Sequence, residues 1–537
     1  MSTSCRRSGR LLALVAAGSL MATAACGSTA QPSGTDALTG GGQAAGGPAG
    51  AGGAGPGGDG LGGDGLGSDG LAMDGPAAVD SGDSFAAPGT SGGGASSGGT
   101  TGSGSRPGSS SGGTAPAAGT GGGTGAQANV PHGPGVTATS IHLGIPWCSD
   151  CSSANAALGA GGEDYGDPRE YYKVALEDVN SRGGVLGRKL VPVWHEISAS
   201  QNIDASSQAM CETFFKDNKV LMVFMRGEIV YECAKKAGAL VYGGGASGPT
   251  FERYPNMFAP ASIRLERLGA VTVKAMVKAG WHKPEPKWPT GNIGLITWES
   301  NDYKYAMEKG WLPALREMGL KETDVRYVAV PQSDKSLADA SAAISSAVLA
   351  FREQGIDHVF IADGAAGIFT GTGLTFMFLN NAKSQRYYPR YGFNTNNSPG
   401  WSNLPADQQS GMLAVDSLDT ERINDEGIAL NPQRERCWAM MKKKGLRVTD
   451  GQPTGLVAIA ACETAWFTEA LLKRATSGTT LPQLIAAGES LGTSYRSPYT
   501  YGTRLQKGQH DGTALFRNSR FDDACACMKY SSKPYEP

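Results

Sequence analysis

Hydrophobic residues fall at helical spacing at the start of the stretch 171–197, which organises the folded part of this chain. Tyr172, Ala175, Leu176 and Val179 lie at i, i+3, i+4 and i+7, so they share one face of a predicted helix. Two adjacent glycines follow, and they supply the positive φ angles that a helix end and a tight turn need. An apolar, β-branched run of strand length comes next. The stretch therefore predicts a helix, a turn and a strand, which is half of a βαβ unit.

The same alternation of short apolar runs and helical periods continues to the end of the chain. The spacing between these runs predicts parallel strands joined by helices, and hence an α/β fold. The predicted strands are 140–147, 190–197, 220–225, 239–243, 292–298, 325–330, 358–362, 411–415 and 514–521. About 400 residues after position 136 are too many for one hydrophobic core and suit two lobes.

The segment NSRGGVLGRKL at 180–190 resembles the IN..GGV.GRKL segment of the type 1 periplasmic binding proteins. These are the solute receptors of ABC importers for branched-chain amino acids and amides, and the similarity extends from about 136 to the C-terminus. The alternative is an ordinary helix–strand connection in another α/β protein. The resemblance implies a Venus-flytrap architecture of two parallel-sheet α/β sandwiches joined by several hinge crossings. Lobe 1 would comprise 136–262 plus about 418–512, and lobe 2 about 263–417 plus 513–537.

The N-terminus carries an export signal. Arg6, Arg7 and Arg10 precede the apolar run 11–25, which is too short for a spanning helix and is typical of a secretory signal peptide at 1–25. The run ends in Thr23-Ala24-Ala25-Cys26, which resembles the lipobox of bacterial lipoproteins and predicts lipidation of Cys26. Thr23 stands where leucine is usual, and cleavage that releases a freely secreted protein is the alternative.

Residues 26–130 lack any periodic apolar face. Residues 31–130 hold 36 of the 79 glycines, and the rest is mainly alanine, serine, threonine and proline. Such a composition cannot bury enough apolar surface to offset chain entropy, so this segment is predicted to be a disordered tether between the lipid anchor and the folded head. Its GxG patterns do not indicate nucleotide binding, because no strand precedes them.

Charge and catalytic motifs exclude some classes of protein. The net charge of −2 and the lack of a basic stripe argue against nucleic acid as a partner. The chain has no H-E-x-x-H and no P-loop, and its six histidines are scattered. We therefore expect a binding protein without a cofactor or metal, rather than an enzyme.

Eight cysteines lie beyond the signal region. An even number in an exported protein predicts disulfides. Sequence neighbours give the favoured pairs Cys148–Cys151, Cys211–Cys233, Cys437–Cys462 and Cys525–Cys527. The alternative is a zinc site that uses the first and last of these pairs, although C-x-C is a poor zinc spacing.

Candidate ligand-binding residues follow the predicted strands. In open parallel sheets, ligands bind beyond the carboxyl ends of strands. That rule selects Trp147, Arg226, Glu228, Ala246 and Asp363 from the loops that follow strands in the two halves.

The family resemblance adds three residues. GASGP resembles the loop whose hydroxyl and amides bind the ligand's carboxylate, which implies this role for Ser247. WESNDY resembles the loop whose tyrosine covers the ligand, which implies Tyr303. Amino acid receptors carry an acid where GFNTNN places Asn394, and an amide cannot neutralise an ammonium group. Asp363 or Glu228 would have to replace that acid. We therefore expect a carboxylate- or amide-bearing ligand.

Each candidate also has a structural alternative. Trp147 and Tyr303 could belong to the core, and Arg226 could be a solvated or ion-paired side chain. Ser247 could cap a turn, and Asp363 precedes a glycine in a way that is typical of turns.

The expected function is that of a lipid-anchored, extracytoplasmic and monomeric solute-binding protein. Its partners would be a small polar ligand, the outer face of the cell membrane and an ABC permease. One alternative is a ligand-sensing receptor of the same fold that has no role in transport. The less favoured alternative is an exported α/β enzyme.

The tether is predicted to be dispensable for folding, because it has no apolar face to pack. A chain that starts at Asn129 should keep the melting temperature and the ligand affinity of the full-length protein, measured by calorimetry. A loss of either would show that the tether packs on the head.

Overall fold

The computed structural model describes residues 132–150, 166–198, 201–332, 334–363, 373–397, 404–418, 427–429, 431–449, 453–476 and 478–537. The predicted signal peptide, the lipidation site Cys26, the tether and Cys151 lie outside the described residues.

The described residues form two sheets covered by helices, as the alternating pattern predicts. The strands are β1 Ser140–Cys148, β2 Lys189–Ile197, β3 Met222–Phe224, β4 Leu240–Tyr242, β5 Met257–Phe258, β6 Ile293–Glu299, β7 Glu322–Ala329, β8 His358–Ala362, β9 Arg390–Asn394, β10 Leu413–Asp416, β11 Arg517–Asp522 and β12 Cys527–Tyr530. The helices are α1 Pro168–Ser181, α2 Ile203–Cys211, α3 Glu228–Ala237, α4 Gly248–Arg253, α5 Leu265–Lys278, α6 Asn301–Ala306, α7 Leu312–Glu317, α8 Asp334–Glu353, α9 Gly373–Ser384, α10 Pro432–Lys443, α11 Pro453–Arg474 and α12 Leu481–Glu489.

The first sheet has the order β2-β1-β3-β4-β5 and is parallel throughout. Helices α1, α10, α11 and α12 pack on one of its faces, and α2 and α3 on the other. Helix α11 is apolar and long enough to cross a membrane, but 78% of its most apolar window is buried, which identifies it as a core helix of this first lobe.

The second sheet has the order β12-β11-β10-β9-β8-β6-β7 and forms the second lobe with α5 to α9. Strands β6 to β10 are parallel to one another, whereas β11 and β12 are antiparallel to their neighbours. This hairpin is antiparallel because the four residues between its strands cannot make the crossover that parallel pairing needs.

Helix α1 begins and ends as its sequence dictates. The carboxylate of Asp167 accepts a hydrogen bond from the backbone amide of Arg169 and caps the helix, and two glycines with positive φ follow its end. The buried face contains Tyr171, whereas the periodicity placed Tyr172 there. Tyr171 is buried because its hydroxyl donates to the carbonyl of Arg447, at 2.7 Å, and Tyr172 is left half-buried.

Disulfides join the helices that cover the first sheet. Cys211–Cys233 links α2 to α3, and Cys437–Cys462 links α10 to α11. Cys525–Cys527 closes the turn of the β11–β12 hairpin, and Cys148 is also disulfide-bonded. The three described pairs match those favoured by sequence neighbourhood, and the bonded state of Cys525 and Cys527 removes them as zinc ligands.

Two crossings between the lobes run side by side. The carbonyl of Ala259 accepts from the amide of Gly512, at 2.9 Å, so the segment that leaves the first lobe pairs with one that returns to the second. The carboxylate of Asp511 is fully buried there and accepts from Arg264 Nε, at 3.2 Å, and Arg267 Nη1, at 2.5 Å. These ion pairs fix where the second lobe begins.

Asp511→Ala should lower the free energy of unfolding by about 2 kcal/mol, because it removes charge-assisted hydrogen bonds and leaves two arginines without their partner. Urea denaturation of the variant measures this. Glu212→Ala is the control, since Glu212 pairs with Lys216 on the surface and its loss should have a much smaller effect. Equal effects of the two substitutions would contradict the role of Asp511.

Candidate ligand-binding cleft

A cavity of about 300 Å³ lies between the two lobes, at the carboxyl ends of strands from both sheets. The first lobe contributes Arg226, Glu228 and Ala246, and the second lobe contributes Tyr303. Four of the predicted ligand residues therefore line one cavity. Their convergence follows from the parallel topology, because loops at the carboxyl ends of strands meet at one edge of each sheet.

The carboxylate of Asp302 bridges the lobes at one side of this cavity. Its Oδ1 accepts from the backbone amide of Ser247, at 2.9 Å, from the Ser247 hydroxyl, and from the Thr250 hydroxyl, at 2.7 Å. Three donors thus hold one carboxylate oxygen, which is a small anion nest. The donors that the family resemblance assigns to a ligand carboxylate are engaged here by a side chain of the opposite lobe.

Tyr303 is 3% exposed and lines the cavity from the start of α6. Its hydroxyl has no hydrogen-bond partner among the described residues. Burial raises the pKa of Tyr303 well above its usual value, as do the carboxylates of Asp363 and Asp302, while the charge of Arg226 opposes the rise. A buried hydroxyl without a hydrogen-bond partner destabilises the ligand-free protein, and it can donate a hydrogen bond to a ligand that enters the cleft.

Arg226 follows β3 and lines the same cavity. Within the described part of the chain it makes no ion pair and no hydrogen bond, and it is exposed to the cavity. Its positive charge opposes the rise that burial causes in the pKa of the Tyr231, Tyr303 and Tyr499 hydroxyls.

Glu228 lines the cavity but already has partners. Its carboxylate forms an ion pair with Arg253 and accepts from the Tyr254 hydroxyl, at 3.2 Å. These contacts direct the negative charge toward α4, away from a ligand in the cleft.

Asp363 and Asn394 are buried inside the second lobe. The carboxylate of Asp363 accepts from Trp298 Nε1, at 3.1 Å, and from the amide and hydroxyl of Thr375, at 2.9 and 2.8 Å. Asn394 Oδ1 accepts from the amide of Asn396, at 2.9 Å, in an Asx turn. Neither residue lines the cleft cavity in this conformation, and their ligand role stays a prediction.

Trp147 ends β1, and the guanidinium of Arg169 lies over its ring at 3.9 Å. It is not among the residues that line the cleft cavity. Its part in binding also stays a prediction.

Sequence reasoning missed Asp302, Thr250 and Glu463. Asp302 lies in the first turn of α6, where an acid is common because it interacts favourably with the helix dipole. The local sequence therefore does not indicate that Asp302 contacts the first lobe. Glu463 lies within the apolar helix α11, and an acid in such a helix is the signal that marks it for a partnered, buried role.

Glu463 is 1% exposed and accepts hydrogen bonds from hydroxyl groups. Its Oε2 accepts from Tyr495, at 2.9 Å, and from Ser497, at 2.8 Å, and Oε1 accepts from Tyr242, at 3.4 Å. Burial raises the pKa of Glu463 to about 7, and these hydrogen bonds restrain the rise.

A family model described as "Periplasmic binding protein" matches residues 150–519. No curated protein matches the chain. Among solved structures, a fatty acid ABC transporter substrate-binding protein from Thermomonospora curvata has a TM-score of 0.53 at 17% identity, covering 76% of this chain and 96% of its own.

Two other solved structures have bound ligands. A branched-chain amino acid ABC transporter protein from Thermus thermophilus with bound valine has a TM-score of 0.52 at 15% identity, covering 74% of this chain and 97% of its own. A solute-binding protein of an ABC transporter from Rhodopseudomonas palustris HaA2, in complex with p-hydroxybenzoic acid, has a TM-score of 0.53 at 13% identity and the same coverages. At these identities the likeness shows the fold, and it confirms the two-lobed fold expected from the sequence.

The raised pKa of Glu463 predicts a pH-dependent stability. In the unfolded chain a glutamate ionises near pH 4.3, whereas in the folded protein Glu463 ionises near pH 7. The folded state therefore binds the proton more tightly, so stability falls as the pH rises through this window, by about 4 kcal/mol in total.

Urea denaturation at pH 4, 6 and 8 measures this loss. Glu463→Gln keeps an oxygen for Ser497 and Tyr495 without a titrating group, so the variant should lack this part of the pH dependence. An unchanged pH profile in the variant would show that another group is responsible.

Proposed function

Because the chain belongs to the type 1 periplasmic binding proteins, we propose that it is an extracytoplasmic solute-binding protein that takes a small carboxylate into its cleft and delivers it to an ABC importer. The observation that carries this ligand class is the pair formed by Arg226 and Tyr303. Among the described residues, the Arg226 guanidinium has no ion-pair partner and the buried Tyr303 hydroxyl has no acceptor, and the two side chains line one cavity from opposite lobes.

One chemical group satisfies both side chains at once. A carboxylate has two oxygens that accept only, so it can pair with the Arg226 guanidinium and accept from the Tyr303 hydroxyl. A neutral amide could accept from Tyr303 but would leave the arginine without a counter-charge. Valine and p-hydroxybenzoic acid, the ligands of two structural neighbours, both carry a carboxyl group.

The acids predicted to bind the ammonium group of an α-amino acid already have partners among the described residues. Of the acids proposed for that role, Glu228 pairs with Arg253, and Asp363 accepts three hydrogen bonds inside the second lobe. Asp302 is engaged by Ser247 and Thr250. Burying an ammonium group without a partner costs several kcal/mol, so a carboxylate that lacks the amino group is favoured.

Binding would proceed by closure of the two lobes. Arg226 and Tyr303 belong to different lobes, so a ligand can touch both only when the lobes are together. The ligand therefore shifts the population toward the closed state by the free energy of those contacts.

Delivery would take place at the outer face of the cell membrane. Lipidated Cys26 would anchor the protein, and the glycine-rich tether would let the monomeric head reach an ABC permease, with a reach that grows as the square root of tether length. Mass spectrometry of the mature N-terminal peptide tests the anchor, since a lipid-modified Cys26 is expected and an unmodified N-terminus would exclude it.

Arg226→Gln should weaken carboxylate binding by about 10- to 100-fold, because it removes a charge-assisted hydrogen bond. Tyr303→Phe should weaken it by about 3- to 10-fold through loss of a neutral donor. Isothermal titration calorimetry with a panel of monocarboxylates, their amides and the matching α-amino acids measures both effects.

Arg474→Gln is the matched control, since Arg474 is an exposed arginine of the first lobe on α11 and does not line the cleft cavity. Tight binding of α-amino acids with no binding of their deaminated analogues would contradict the proposed ligand class. So would carboxylate affinity that is unchanged in Arg226→Gln.

A further inference from the structure

A second cavity, of about 310 Å³, lies inside the first lobe, and we name it the lobe-1 chamber. It is bounded by the ends of β3 and β4 on one side and by α1 and α11 on the other. Four aromatic side chains line it, and all are half-buried because part of each ring faces the chamber. They are Tyr172, Phe224, Tyr242 and Tyr499.

The chamber and the cleft cavity meet at one place. Met225 and Arg226 line both cavities. The guanidinium of Arg226 therefore stands where the chamber reaches the cleft, and a ligand held by this charge can extend from the cleft into the first lobe.

The polar groups of the chamber wall already have partners. The hydroxyl of Tyr172 hydrogen-bonds to Thr464, and that of Tyr499 donates to the carbonyl of Leu456, at 3.3 Å. The carboxyl of Glu463 accepts from Tyr495 and Ser497. What these side chains offer to a ligand is the apolar surface of their rings, so the chamber suits a hydrophobic group.

We propose that the lobe-1 chamber holds the hydrophobic body of the ligand whose carboxylate is bound by Arg226 and Tyr303. The ligand is then a monocarboxylate with a phenyl-sized ring or a medium-length alkyl chain. This inference rests on the proposed function and names the substrate class of the same site. Size agrees with it, because an apolar cavity of about 150 Å³ holds one benzene molecule and the chamber is about twice as large.

The geometry also limits the ligand's polarity. A second charge or a chain of hydroxyls would enter a chamber whose own donors and acceptors are taken, and its desolvation would be uncompensated. Dicarboxylates and sugar acids of similar length should therefore be rejected.

Calorimetric titration of the full-length protein with a series of monocarboxylates tests the proposal. The probes are butanoate, hexanoate, octanoate, benzoate and 3-phenylpropanoate, with 3-phenylpropanol as the neutral analogue. Affinity should rise about two- to fourfold for each methylene that enters the chamber, and then level off when the chamber is full.

Two variants of the chamber sharpen the test. Ala460 on α11 lines the chamber, so Ala460→Leu should abolish the gain in affinity from longer tails. Ala470→Leu is the control, because Ala470 is a half-buried alanine of the same helix and does not line the chamber. Phe224→Leu enlarges the chamber and should move the best tail to a longer one.

The outcomes separate this inference from the proposed function. If the affinity of the wild type for carboxylates does not depend on tail length, the chamber is not a tail site, and the carboxylate site at Arg226 and Tyr303 is unaffected by that result. If 3-phenylpropanol binds as tightly as 3-phenylpropanoate, the carboxylate site is wrong, and the chamber as a tail site still holds. Binding of none of the probes overturns both.

Discussion

The carboxylate of Asp302 accepts hydrogen bonds from three donors of the opposite lobe, and the arrangement of the cleft depends on this contact. The amide and hydroxyl of Ser247 and the hydroxyl of Thr250 all point at one oxygen. An anion nest is thereby filled by the protein itself. Because these donors are engaged, the described residues of the cavity wall leave Arg226 as the cation, and Tyr303 as the buried hydroxyl, for a ligand's carboxylate.

The two lobes present different groups to the cleft, and their topology explains which groups these are. Both sheets present the carboxyl ends of parallel strands to the cleft, so charged and polar loop residues meet there while the apolar strands stay inside each lobe. The first lobe carries the charge and the aromatic chamber behind it. The second lobe contributes Tyr303 and the carboxylate of Asp302, which accepts hydrogen bonds from the first lobe across the cleft. The Asp511 ion pairs at the crossings set where the second lobe starts without touching the cleft.

Much of the fold could be predicted because it rests on periodic burial. Ala175, Leu176 and Val179 are buried on α1 as their spacing indicated, and the cysteine pairs closed between sequence neighbours. The neighbouring tyrosines show the limit of this reasoning. Tyr171 and Tyr172 are equally apolar, and their different burial depends on partners far away in the sequence, Arg447 for Tyr171 and Thr464 for Tyr172.

The candidate site was harder to predict, since it depends on contacts between distant segments. Strand ends located Arg226, Glu228 and Ala246 at the cavity, and the family resemblance located Tyr303 there. Neither could show that Asp302 would occupy the nest around Ser247, because an acid in the first turn of a helix has an ordinary local explanation. The chamber could not be predicted either, since its walls come from six separate parts of the first lobe.

A crystal structure of the protein with a bound monocarboxylate would show which side chains hold the carboxylate. We predict that it lies within hydrogen-bonding distance of the Arg226 guanidinium and the Tyr303 hydroxyl, while Asp302 stays bonded to Ser247 and Thr250. A carboxylate seated on Ser247 and Thr250, with Asp302 displaced into solvent, would contradict it.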